Sequence, residues 1–310
     1  MMEKNLRVQV LRGIAIMAVV LIHTCPRDPA WQIGFRPLVN FGVPMFLFLS
    51  GWLTRQKPLS CPTLYKKRIP RVLIPYFLWT IVYTLVDEKL RDLPYNILTA
   101  SAVYTLYYIP VYLQLVLLTP LIKKLAASRF RWAGHLITPV SLLLFSYHPG
   151  WLSDRMTLVY YLSFLGWFSY YYLGFLYGDS QALREEYVRW TRYLLPAAIL
   201  LQIGEAWLWW RAGMADCGTP MKLTALTSNL LLMTAIAPYL GREGAPKTRF
   251  LSTFGNYSFG IYLIHPLFIR LFARLPFCLN TLAVLVCSCL SAWLLHLVLK
   301  DRASRWLGLI

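Results

Sequence analysis

Apolar residues fill the chain in runs of about twenty, separated by short polar stretches rich in lysine, arginine and proline. About 20 residues carry a helix across the hydrocarbon core of a bilayer, and the runs predict ten such helices. They cover roughly 6–24, 35–53, 70–87, 103–122, 132–147, 157–178, 192–210, 223–240, 251–272 and 278–299. Pro110, Pro120 and Pro139 interrupt the fourth and fifth, which a membrane helix tolerates when neighbouring groups satisfy the freed carbonyls. The longest connections expected on the cytoplasmic side, 54–69 and 179–191, are too short to build a core. The predicted fold is all-α, one polytopic membrane domain over residues 1–310. The first run follows Lys4 and Arg7 as a signal peptide would, but no small-x-small cleavage site follows it, so it reads as an uncleaved first span.

Composition agrees. Of 310 residues, 58% are hydrophobic and 14% charged, against about a quarter charged in soluble domains. The net charge of +18 raises nucleic acid as a partner, and its distribution removes the need for one. With the N-terminus inside, 21 of the 31 lysines and arginines fall on the cytoplasmic side, Lys4, Lys57, Lys247 and Arg249 among them. Nine fall outside, and Arg12 lies within a span. Such a bias fixes topology and places both termini in the cytoplasm of a multi-pass protein of the inner cell membrane. The six cysteines show no paired spacing and the five histidines stand singly, so no metal site is predicted.

Two constellations carry candidate chemistry. In "LRGIAIMAVVLIHT", Arg12 and His23 are eleven residues apart, three helical turns plus roughly 20°, which sets both on one face about 16 Å apart. An arginine within a span is costly and usually marks function, although Arg12 reaching one interface and His23 wetted at the other is the structural alternative. In "YKKRIPRVLIPYF", Lys66, Lys67, Arg68 and Arg71 gather where the third span begins, with Pro70 expected in its first turn. A helix N-terminus with four cations suits phosphate; an ordinary positive-inside anchor is the alternative. Glu205, at mid-span, either orients a buried histidine or arginine or serves helix packing. His265, before Pro266, is open between a supporting role at the site and packing. The aromatic runs "WFSYYY" and "WLWW" read as interface or packing features.

These residues resemble the acyltransferase-3 integral membrane acyltransferases. "LRGIAIMAVVLIH" is similar to their Arg-x10-His signature, "FGVPMFLFLSGWL" to their second helix, and Arg68-Ile-Pro-Arg71 before "VLIPY" to their Arg-x-x-Arg element. "YYIPVYLQLVLLTPLI" and "YSFGIYLIHPLF", the latter holding His265, resemble later landmarks. The resemblance implies transfer of an acyl group, commonly acetyl from acetyl-CoA, to a hydroxyl acceptor such as a surface glycan or lipid-linked sugar across the membrane. It implies His23 as catalytic base or acyl carrier, Arg12 as its companion, and Arg68 and Arg71 as donor-binding residues, to which the cluster reading adds Lys66 and Lys67. Family members often carry Asp three residues before the arginine, where this chain has Gln9. The rival reading from the residues is a secondary transporter or flippase of a glycan precursor, its intramembrane Arg, Glu and His forming a substrate path; no inverted repeat relates the two halves. A non-catalytic membrane partner with the same fold is a third.

Overall fold

The computed structural model describes residues 5–56, 60–148, 154–178, 181–214, 216–242, 246, 248 and 250–309. Lys4, Lys57, Lys247 and Arg249, assigned above to the inner side, lie outside them. The chain folds as fifteen numbered helices joined by short 3-10 and π turns, with no strand among the described residues. They are α1 (Leu6–Thr24), α2 (Arg36–Val39), α3 (Gly42–Gln56), α4 (Cys61–Val86), α5 (Leu93–Thr99), α6 (Tyr108–Leu117), α7 (Thr119–Ala127) and α8 (Ile137–Phe145). There follow α9 (Asp154–Tyr161), α10 (Phe168–Tyr177), α11 (Gln181–Arg211), α12 (Leu223–Leu240), α13 (Leu251–Asn256), α14 (Ser258–Leu271) and α15 (Phe277–Trp306).

Among the described residues six segments are long and apolar enough to cross a membrane: Leu6–Thr24, Trp31–Gln56, Cys61–Val86, Leu90–Leu117, Leu223–Leu240 and Phe277–Leu299; Ser258–Leu271 is apolar but shorter. The expected spans at 132–147 and 157–178 are assembled from short helical pieces, α8 with a 3-10 turn before it and α9, a 3-10 turn and α10. Two expected loops are largely helix instead. Ser60, in extended conformation ahead of Pro62, starts α4 at Cys61, and α11 begins at Gln181. Both stretches hold enough helix-forming residues (Leu, Lys and Arg in one, Gln, Ala, Leu, Arg and Glu in the other) for the membrane helix to run on past its apolar part.

α1 lies at the centre. Asn5 caps it by accepting hydrogen bonds from the backbone N–H groups of Arg7 and Val8 at 3.1 and 3.2 Å. It packs against α3, α13, α14 and α15, and buries residues all around its axis. Small residues let the backbones approach. At the crossing of α1 and α13, Gly255 lies directly on the carbonyl of Gln9, and Gly13 on that of Leu251. Tyr170, Tyr171, Tyr172 and Phe175 of α10 are buried: the Tyr171 hydroxyl meets Thr54 of α3, the Phe175 ring meets Arg55 of α3, and Tyr172 donates to the Arg131 carbonyl ahead of α8. The "WFSYYY" run is therefore core packing. Toward the membrane, Leu200, Leu201, Leu208, Leu294 and Val298 are exposed, as expected of surfaces facing lipid.

Candidate active site

A cavity of about 300 Å³ opens beside α1. Its wall includes Gln9, Arg12 and Val19 from α1, which share one face as residues at i, i+3 and i+10 must. α4 contributes Arg68 and Arg71, α6 contributes Tyr108 and Tyr112, and the α13–α14 corner contributes Asn256, Ser258 and Tyr262. The two arginine motifs, 56 residues apart in sequence, thus face one space. The charges of Arg68 and Arg71 act on Arg12, and no carboxylate lines the cavity among the described residues. Guanidinium groups brought together in a medium of low dielectric repel one another, and an anion among them relieves that cost.

Arg68 is half-buried and fixed: its Nη1 donates to Thr54 Oγ1 at 2.5 Å, and that oxygen also lies 2.9 Å from the Tyr171 hydroxyl. Arg71, one turn on, is exposed. Lys66 and Lys67 are exposed and do not line the cavity. Pro70 is not in the first turn of its helix, because α4 begins at Cys61. The free N–H groups of that helix start therefore lie roughly 10 Å from the Arg68–Arg71 stretch. Side-chain charge, and not the helix end, makes the basic mouth.

The histidines sit beyond the other end of the cavity. Val19 and Tyr262 are its furthest lining residues on α1 and α14, and His23 follows one turn after Val19. His23 is half-buried, its ring 5.5 Å from that of His265 and 5.0 Å from that of Tyr104, which is largely exposed. Its ring makes no hydrogen bond with any described residue. His265 is completely buried. Pro266 has no N–H, so it leaves the Tyr262 carbonyl without its helical donor. His265 Nδ1 supplies that bond at 2.7 Å, with a second contact to the Ile261 carbonyl at 3.2 Å. A carbonyl only accepts, so Nδ1 carries the proton and Nε2 is left as the lone pair of a neutral ring. Nε2 is shielded and without a partner.

A profile of the acyltransferase domain family matches residues 5–301, nearly the whole chain. The chain belongs to the acyltransferase-3 family. No curated protein and no solved structure matches it. Membership makes this a membrane acyltransferase.

Other expected residues are placed elsewhere in this acyltransferase. Glu205 accepts from the Tyr147 hydroxyl and from the hydroxyl and N–H of Thr224, bonds that tie α11 to the start of α12. None of these partners belongs to the cavity or the histidine pair. Among the described residues no group of His, Cys, Asp or Glu could hold a metal ion. The sequence reading missed Tyr108, Tyr112, Ser50 and Asn256 as cavity residues. Tyr108 and Tyr112 could have been found from their i, i+4 spacing in "YYIPVY"; Asn256 carried no local signal, because the Gly255 crossing alone brings it to α1.

Proposed function

We propose that this protein is an O-acyltransferase that takes an acyl group, acetyl in the first instance, from cytoplasmic acyl-CoA and passes it to a hydroxyl of a surface glycan or lipid-linked sugar. The protein is taken to cross the inner cell membrane ten times with both termini in the cytoplasm. The convergence of three guanidinium groups in one cavity that leads toward a histidine pair carries the reading. Arg68 and Arg71 receive the phosphates of the donor, as bidentate groups suited to them. Exposed Lys66 and Lys67 add attraction at the mouth. The flexible arm then runs along the face of α1 past Arg12, over roughly 16 Å, and brings the thioester to His23.

There a neutral His23 takes the proton of the acceptor hydroxyl as its oxygen attacks the thioester carbonyl. The new C–O bond forms, the C–S bond breaks, and the proton held by His23 passes to the departing thiolate. His265 supports the step with an acceptor nitrogen close to the His23 ring. The acceptor comes from the opposite side, past the exposed ring of Tyr104. Purified protein in membranes given acetyl-CoA labelled in the acetyl group tests this. Wild type should label the surface glycan and His23→Ala should not; equal labelling by both would remove His23 from the chemistry. Charge reversal at Arg68 and Arg71 should weaken CoA binding, and unchanged affinity would return them to the role of topology anchors.

A further inference from the structure

The cavity wall holds two polar groups that phosphate binding does not use. Gln9 is 93% buried, leaving 7% exposed, and its Oε1 has no hydrogen-bond partner among the described residues. Asn256 Oδ1 is likewise shielded and without a partner among the described residues. Both residues line the cavity. Their proximity is built in, because Gly255, the neighbour of Asn256, rests on the backbone of Gln9 itself. Buried polar atoms are nearly always hydrogen-bonded, and leaving one unmade is costly. Two side-chain amides left so at one place, one turn along α1 from Arg12, require a polar group to meet them.

We infer that Gln9 and Asn256 form a carboxamide clamp for a secondary amide in the arm of the donor, so that the site selects thioesters of pantetheine type over acyl donors whose arm is only hydrocarbon. The inference rests on the donor reading given above. A carboxamide carries both an acceptor oxygen and a donor NH2, so it matches both halves of an amide, whereas a carboxylate only accepts. The residue type at position 9 follows from this. An aspartate there would stand at i, i+3 from Arg12, pair with its guanidinium and oppose the donor phosphates. Glutamine leaves the positive charge of Arg12 facing the cavity and adds a group able to bond an amide in both directions.

The test measures binding of acetyl-CoA to purified protein in detergent, alongside analogues in which each pantetheine amide is replaced in turn by an ester. The variants are Gln9→Met and Asn256→Leu, which keep side-chain volume, and Gln9→Asp, with thermal unfolding as the check on folding. For Gln9→Met and Asn256→Leu, affinity for acetyl-CoA should fall about three- to tenfold, the worth of one neutral hydrogen bond. For one of the ester analogues the same variants should lose nothing further. Gln9→Asp should bind acetyl-CoA more weakly than Gln9→Met. Wild-type affinity in folded Gln9→Met and Asn256→Leu would overturn the clamp, with water left to meet the two amides, while the donor reading stood. Equal losses for acetyl-CoA and both ester analogues would overturn it too. Failure of the wild type to bind acetyl-CoA at all would overturn the donor reading and the clamp with it.

Discussion

Gly255→Ala should damage the site far more than one methyl group suggests. A Cβ at this position would sit 1.8 Å from the Gln9 carbonyl oxygen and 2.6 Å from its carbon, both of them backbone atoms. A relaxed carbon–oxygen contact needs about 3.3 Å, so α13 has to retreat from α1 by roughly 1.5 Å. Overpacking of this kind costs about 1–3 kcal/mol, and the better helix propensity of alanine returns at most about 1 kcal/mol. The retreat also moves Asn256 and Ser258 away from Gln9 and Arg12, and a displacement near 1 Å at a positioning group is worth about a hundredfold in rate. Gly204→Ala is the control, since a Cβ there meets nothing within 4 Å and lies inside helix α11. Thermal unfolding in detergent and acetyl-transfer turnover are the readouts. Gly255→Ala should melt lower and turn over at least tenfold more slowly, while Gly204→Ala melts at or above wild type. If the two variants match in both measurements, the α1–α13 crossing does not set the geometry of the site.

His265→Asn keeps a side-chain N–H able to reach the Tyr262 carbonyl but deletes Nε2, the nitrogen that the proposed mechanism sets beside the His23 ring. Turnover should fall about tenfold or more, the worth of a hydrogen bond to a charged group, with donor KM unchanged; an unchanged kcat would make His265 a packing residue. Lys222 precedes α12, is fully buried, donates to the Cys217 carbonyl at 2.7 Å, and is pushed by burial from 10.5 down to about 8. Below pH 8 it is charged folded and unfolded alike, and between about 8 and 10.5 the unfolded chain binds the extra proton, so stability rises with pH through that window. Thermal midpoints measured from pH 7 to 9.5 should therefore rise in wild type relative to Lys222→Met, and parallel curves would refute the assignment. Glu205→Ala should destabilise by about 1–3 kcal/mol, because it strips partners from Tyr147 and Thr224. Its donor affinity should equal wild type, and a loss there would bring Glu205 back to the site.

The all-helical membrane fold was legible because hydropathy reports directly on the solvent a segment can enter. The eighth predicted span coincides with α12, and the tenth lies within α15. Spacing alone set Arg12 and His23 on one face, and Arg12 and Val19 do line one cavity with His23 next along that face. What sequence could not supply was contact between distant segments. The start of α4 depends on Ser60 and Pro62, upstream of the apolar run that marked the span, so the expected helix end at Pro70 was displaced. Glu205 looked costly in mid-span, and only the fold shows Tyr147 and Thr224 waiting for it. Gln9 stood out as a departure from a pattern, yet Asn256, the other amide of the cavity wall, lies 247 positions away.

The furthest lining residues of the cavity on α1 and α14 are Val19 and Tyr262, about 6 Å along α1 before His23. On the proposed reading the phosphates stop at Arg68 and Arg71, and only the uncharged thioester end goes further. Each elementary charge moved through a membrane potential of 100 mV costs or releases about 2.3 kcal/mol, and here none moves. On that reading transfer is electrically silent, driven by the thioester bond and indifferent to whether the membrane is energised. On the same reading only an uncharged acyl group passes the rings of His23, His265 and Tyr104, which lie together at that end of the bundle.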